Sequence, residues 1–287
     1  MISTEIEFSA PESLDGVLSI LTEHGYDVTV LSGGMSLLPM MNLGLATPER
    51  VVSLNRVATL SSIAEADGEL VIGARVRHAE LAADTLVARH CPALAQAAAK
   101  IGDVQVRNRG TIGGSISHAD PSADYLPVLL ASGATVVLDT AGGGRRQLPA
   151  DEFFVDLMLT AREPTELVTE IRVPKLQAGW GAAYLRLHRV EGSFAIVNAA
   201  AILAPGGAGS VLAVGGVGPR PAVVDISGFG ASGWTAEAAA AVADAAFEVS
   251  AGASDDPMSD AEYKREMARV YARRAVQAAT AMMSSGR

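Results

Sequence analysis

The stretch Val28-Thr29-Val30-Leu31-Ser32-Gly33-Gly34-Met35-Ser36-Leu37-Leu38 decides how this chain is read. Val28–Leu31 is a short apolar run of strand type, and it passes directly into a glycine pair flanked by serines. A Gly-Gly pair lets the backbone approach an anion closely and present its N–H groups as a nest. Ser36 then opens a short helix-like segment, Leu37–Leu43, and the N-terminus of a helix favours negative charge. Alone, such a turn is either an ordinary glycine connection or an anion site.

Upstream, a strand is expected near Glu5–Phe8. Ser9-Ala10-Pro11-Glu12 fits a capping box, with Ser9 as N-cap. Leu14, Val17, Leu18 and Leu21 follow at helical spacing, and Gly25 suits a left-handed cap. Downstream, Val51–Leu54 is another strand. Residues 1–55 therefore read as a small β-α-β-α-β unit on a parallel sheet.

A second glycine turn, Thr111-Ile112-Gly113-Gly114-Ser115, lies in Gly102–Pro121, the least regular part of the chain. With hydroxyls at Ser32, Ser36, Thr111 and Ser115, two such turns could close on a pyrophosphate from both sides. Arg107-Asn108-Arg109 just before it is a basic cluster, read either as surface charge or an ion pair, or as anion support or contact with an acidic partner. His118, Asp120 and Asp124 form the only local polar constellation, an irregular loop or an acid/base group. Asp124 opens an apolar helix, either as a cap or as an acceptor for a ligand's hydroxyls. A third run, Gly228-Phe229-Gly230-Ala231-Ser232-Gly233, matches G-x-G-x-x-G. It follows a strand-like Ala222–Ile226 and precedes a helix, but it lacks the following parallel strand with its acidic end, so it reads as a strand-to-helix connection.

The other elements fall around these turns. Ser61–Glu65 and Glu69–Gly73 flank an Asp-Gly turn and predict a hairpin. Residues 77–101 read helical with a break at Pro92, and Ala123–Ser132 reads helical. Thr135–Asp139, Arg145–Leu148 and Leu167–Val173 read as strands. Beyond a hinge near 174–181, Ala183–Arg189, Phe194–Leu203 and Gly209–Val214 predict three antiparallel strands, followed by helices at Thr235–Val249 and Ser259–Met283. The expected units are 1–55, 56–176 and 177–287.

Composition narrows the function. The 287 residues carry 22 basic and 32 acidic side chains, a net charge of -10 that disfavours nucleic-acid binding. The single cysteine, Cys91, excludes an internal disulfide and any cysteine-ligated iron–sulfur cluster on this chain. No histidine spacing suggests a metal. Met1-Ile2-Ser3-Thr4-Glu5 has no basic or apolar leader character, and no apolar run reaches membrane length, so no membrane span and a cytoplasmic location are expected. The mean hydropathy of +0.27 reads as an Ala/Val/Leu core, apolar surface covered by a partner chain, or both.

Leu31 through Met41 resembles the first FAD loop of the medium subunits of molybdenum hydroxylases. Ile101 through Ser115, continued by Asp120-Pro121-Ser122-Ala123-Asp124, resembles the second. Tyr263-Lys264 and Arg273-Arg274-Ala275 resemble the C-terminal helix signature of that family, which includes carbon monoxide dehydrogenase, xanthine dehydrogenase and nicotine-type hydroxylases. The resemblance implies an α+β protein: a two-subdomain FAD-binding fold of the vanillyl-alcohol-oxidase (PCMH) type, then a C-terminal α+β domain. It implies that Leu31, Ser32, Gly33, Gly34, Met35, Ser36 and Leu37 meet noncovalent FAD on one side. Thr111, Gly114 and Ser115 would meet it on the other. It places Ile101 and Gly102 by the adenosine or ribityl part, Asp124 in a hydrogen bond to the cofactor, Val168 or Leu167 by the adenine, and Arg186 and Phe194 by the flavin ring.

The same resemblance implies a flavoprotein oxidoreductase subunit with no catalytic side chain of its own. It would take electrons from [2Fe-2S] clusters on a small partner and pass them through FAD to an external acceptor. A large molybdopterin-binding partner would oxidise carbon monoxide or an N-heterocycle, purine or nicotine-type compound, in a dimer of heterotrimers. Relatives usually carry Gln, His or Thr at Met35, basic residues at Asn42 and Gly44, and Asn at Ser115. The alternatives are a standalone flavin oxidase of this fold, using His118 or His188, and a flavin-free assembly subunit.

Overall fold

A computed structural model describes residues 5–285. The leader reading of residues 1–4 lies outside the described residues. The chain begins with β1 (Glu7–Ser9), α1 (Leu14–His24), β2 (Val28–Leu31), α2 (Leu37–Asn42) and β3 (Arg50–Ser53). The three strands form a parallel sheet in the order β1-β3-β2, with Val30 opposite Val52. Val17, Leu18 and Leu21 of α1 bury against Val52, Leu54, Val57, Leu60 and Leu167. Ser9 is not the helix cap: it ends β1, paired with Val52. Ser13 takes that role, accepting a hydrogen bond from the Gly16 N–H at 3.1 Å, because Pro11 stands outside the helix and Ser13 is correctly spaced.

The next part contains β4 (Ile63–Ala66), β5 (Glu69–Gly73), α3 (His78–Ala83), α4 (Thr85–His90), α5 (Pro92–Lys100), α6 (Val104–Arg107), α7 (Ile112–His118) and α8 (Tyr125–Ala131). It continues through β6 (Thr135–Asp139), β7 (Arg145–Pro149), α9 (Ala150–Phe153), β8 (Phe154–Asp156), β9 (Leu159–Thr160) and β10 (Leu167–Pro174). An antiparallel sheet runs β4-β5-β10-β6-β7, and β8 and β9 make a separate small hairpin. Asp67 and Gly68 both take positive φ at the β4–β5 turn, as a two-residue hairpin requires.

The segment expected to be irregular is half helical. Asp103 caps α6 by accepting from the Val106 N–H at 2.8 Å, and Thr111 caps α7. Glycine disfavours helices, yet Gly113 lies inside one. Tertiary contact decides: Val76 O and Ala74 O accept from the Ile112 and Gly113 N–H groups, and a Cβ on Gly113 would lie 2.6 Å from Ala74.

The last part holds β11 (Gly181–Leu187), β12 (Val197–Leu203), β13 (Val211–Gly215), β14 (Ala222–Asp225), α10 (Ala236–Val249) and α11 (Ala261–Ser284). The antiparallel sheet therefore has four strands, not three. β14 is a short edge strand whose residues alternate between half-buried and exposed, and it falls in the strand-like run Ala222–Ile226 that the three-strand reading left outside the sheet. One face of this sheet, with Ala182, Tyr184, Ala200, Ile202 and Ala213, joins the core built by α3, α5 and α8. The other face buries against α10 and α11. Gly228–Gly233 follows the edge of an antiparallel sheet, and Gly230 packs on the Trp234 ring, so it is a connection. The signature residue Lys264 is buried and pins the loop before α11, donating to Asp256 Oδ2 at 2.6 Å and Ser254 O at 2.8 Å. Among the described residues no helix is long and apolar enough to cross a membrane.

Candidate functional site

The two glycine turns meet. β2 delivers Ser32–Ser36 to the edge of the first sheet, and the bridge between Arg77 and Thr111 holds the second turn. Ser32 Oγ and Thr111 Oγ1 lie 2.9 Å apart. A Cβ on Gly33 would lie 2.3 Å from the Arg109 carbonyl oxygen, so glycine there is what lets the turns touch. Gly34 takes φ +78°, a left-handed conformation that glycine adopts without strain.

The turns contribute differently. Among the described residues, no backbone carbonyl accepts from the N–H groups of Gly33, Gly34, Met35 or Ser36. These donors, with the half-buried start of α2 at Leu37, make a nest. In the second turn the donors are already engaged. Val76 O takes Ile112, Ala74 O takes Gly113, Thr111 Oγ1 takes Gly114 at 3.2 Å, and Thr111 O takes Ser115. What remains there is hydroxyl chemistry and the exposed backbone of Gly114, whose missing Cβ would contact Thr111 Oγ1 and Ser32 Cβ. The Ser36 hydroxyl caps nothing in α2.

Arg107 spends one end of its guanidinium on the backbone. It donates to the carbonyls of Ile101 and Gly102 at 2.9 and 2.8 Å, bracing the turn at the end of α5. Gly102 has φ +49°. Beneath the second turn, His78 is buried, its Nδ1 2.8 Å from Tyr125 Oη. Burial, reinforced by Arg107, pushes its pKa down to about 4, so the imidazole is neutral at physiological pH.

Asp124 is not a helix cap through its side chain. It is 4% exposed and accepts from Tyr184 Oη at 2.5 Å and from Arg186 Nη1 at 3.0 and 3.2 Å. Burial raises its pKa, while Arg186 and Tyr184 oppose the rise. Arg186 is 7% exposed, and its Nε and Nη2 are buried without a partner. A buried guanidinium with idle donors is costly unless something meets them. Asn198, opposite Arg186 in the β11–β12 register, donates to Ala123 O at 3.3 Å and leaves its Oδ1 unpartnered. Tyr184 and Asn198 escaped the sequence reading. Their signals were a polar residue inside the apolar run Val197–Leu203, and the Tyr184/Arg186 spacing that places both on one face of a strand.

Phe194, 49% exposed, lies in the β11–β12 connection, and a Cβ on Gly192 of the same loop would lie 3.4 Å from the Gly102 carbonyl carbon. This loop therefore stands beside the Gly102 turn at the end of α5. Val168 lies in β10. It precedes a bulge in β10, and its side chain is buried in the core with Leu138 and Ile171. Leu167 is equally buried, under α1. His188 pairs with the exposed Glu191 at 3.0 Å, and His118 ends α7; neither is held as an acid/base beside the turns.

A nest on one lobe, a hydroxyl pair at the seam and a buried arginine under the third sheet define a two-lobed dinucleotide-binding architecture. Residues 4–176 match the family described as FAD binding domain in molybdopterin dehydrogenase, and the chain belongs to that family. It is 38% identical to the carbon monoxide dehydrogenase medium chain of Hydrogenophaga pseudoflava, over 98% of this chain and 99% of that one. It is also 38% identical to 6-hydroxypseudooxynicotine dehydrogenase complex subunit alpha of Paenarthrobacter nicotinovorans, over 69% of this chain and 66% of that one. The solved carbon monoxide dehydrogenase of Hydrogenophaga pseudoflava superposes with a TM-score of 0.91 at 38% identity, covering 98% of this chain and 99% of that one.

Proposed function

We propose that this chain is the FAD-carrying electron-transfer subunit of a heteromeric molybdenum hydroxylase. The observation that carries the reading is the convergence of the two glycine turns: unbonded N–H groups of the first face a hydroxyl seam shared with the second. When bound, FAD supplies the redox chemistry between [2Fe-2S] clusters on a small partner and an external acceptor. The protein's own residues bind and orient. The N–H groups of Gly33 to Ser36 hold a pyrophosphate, and the start of α2 adds its dipole. Thr111, Ser115 and Ser32 supply hydroxyls from the facing side. Ile101, Gly102 and the Val168 backbone flank the nucleotide. Arg186 offers its idle donors, Asp124 fixes that arginine, and Phe194 covers the ring.

In this reading the units 1–55 and 56–176 are the two cofactor-binding lobes and 177–287 closes the flavin side. The partners are a large molybdopterin-binding chain and a small iron–sulfur chain, assembled as a dimer of heterotrimers in the cytoplasm. The substrate belongs to the large chain, and similarity to both a carbon monoxide and a 6-hydroxypseudooxynicotine dehydrogenase is compatible with either class. Co-expression with its partners, followed by flavin and metal analysis, tests the reading. One FAD per copy of this chain is expected, released without covalent attachment by mild denaturation. A purified complex with no flavin spectrum overturns it.

A further inference from the structure

Tyr184 and Arg186 project from the same face of β11 onto one carboxylate. Oδ1 of Asp124 accepts twice, from Tyr184 Oη at 2.5 Å and from Arg186 Nη1 at 3.0 Å. Arg186 spends only Nη1 on this contact, and its Nε and Nη2 are buried and idle. The other side of the cluster is closed. Asn198 seats its amide against Ala123 O, and its Oδ1 fills the space a Cβ on Gly215 would take, 2.3 Å away. Tyr184 thus adds the one donor that holds the carboxylate in register without adding charge.

We propose that Tyr184 is a positioning residue of the flavin site, fixing the Asp124 carboxylate against Arg186 and so setting the charge this pair presents to FAD. The proposal rests on the reading that Asp124 and Arg186 face the cofactor. Burial favours the protonated acid at Asp124, and Arg186 and Tyr184 counter it. Removing the phenol hydroxyl shifts that balance toward protonation and leaves the arginine charge uncompensated. An uncompensated cation stabilises the negative charge gained on reduction, so the flavin potential rises.

The experiment uses the complex assembled with its partners. Tyr184→Phe keeps the ring in the core and removes only the hydroxyl. Retained FAD with a flavin midpoint potential shifted upward is expected. 3-Fluorotyrosine incorporated at position 184 is a stronger donor and shifts the potential downward. In an Asp124→Asn complex, Tyr184→Phe adds no further shift. A purely structural role would lower thermal stability and leave the potential where it was. If Tyr184→Phe fails to assemble, the fluorotyrosine complex decides by itself. A wild-type complex without FAD overturns the cofactor reading and the proposal together. A wild-type complex with FAD, whose potential neither replacement moves, overturns the proposal alone.

Discussion

The hydroxyls of Ser32 and Thr111 lie 2.9 Å apart across 79 residues of chain. Thr111 serves two elements through one oxygen, since Oγ1 also caps α7 by accepting from the Gly114 N–H. Among the described residues Ser32 has no comparable second duty: it lies between β2 and α2, and its hydroxyl meets Thr111. The seam between the two turns is therefore asymmetric.

Thr111→Val keeps the volume but removes both contacts. Loss of the cap costs about 1 kcal/mol of stability, and the ratio of FAD to protein in the purified complex falls. Ser32→Ala leaves the cap intact and produces a smaller fall. Equal losses from the two substitutions would show that the seam is not organised around Thr111.

Gly33 and Gly44 make a matched pair. A Cβ on Gly33 meets the Arg109 carbonyl at 2.3 Å, whereas one on Gly44 meets nothing within 4 Å, although its φ is +72°. Gly33→Ala forces the turns apart and abolishes FAD retention. Gly44→Ala strains only its own backbone, costs about 1 kcal/mol, and retains FAD. Absorbance near 450 nm in purified complexes, together with thermal melts, separates the two.

Arg186→Met strands a buried carboxylate. Removing one member of a buried ion pair typically costs about 3–5 kcal/mol, so a large drop in the denaturation midpoint is expected. The double variant Arg186→Met/Asp124→Asn recovers part of that loss, because no charge is then left buried. Additive effects in this cycle would contradict the pairing.

His78 gives a pH dependence of defined sign. Burial holds its pKa at about 4 in the folded chain, against an ordinary value of 6.5. The unfolded chain therefore takes up a proton first as pH falls. The stability contributed by the neutral imidazole is present above pH 6.5 and is lost between 6.5 and 4; the full loss is about 3 kcal/mol. His78→Gln removes this titration, so the variant's urea midpoint falls less steeply than the wild type's across that range. Parallel slopes would refute the assignment.

Much of this site was legible because its signals are local. Val28–Leu31 is a β-branched run closed by glycines and forms β2 with those bounds. Thr235 caps α10, its hydroxyl accepting from the Ala238 N–H as its position before an alanine-rich run suggests. What escaped depends on distant partners. Gly113 is helical because Ala74 O accepts its own N–H and Val76 O that of Ile112, which no helix propensity contains. Asp124 reads as a cap until β11 brings Tyr184 and Arg186 to it, 60 and 62 residues later in sequence. The fourth strand of the last sheet is legible as the strand-like run Ala222–Ile226, but its place at the edge depends on pairing with β13, which no local signal contains.

The seam also orders events during synthesis. Ser32 leaves the ribosome well before Thr111, and Arg186 follows after a further interval of similar length. At about 5–20 residues per second, the nest waits several seconds for its facing hydroxyl and several more for the arginine. A site that uses all three is complete only once about two thirds of the chain has been made, and a truncated product ending before β11 leaves the Asp124 carboxylate without either of its donors.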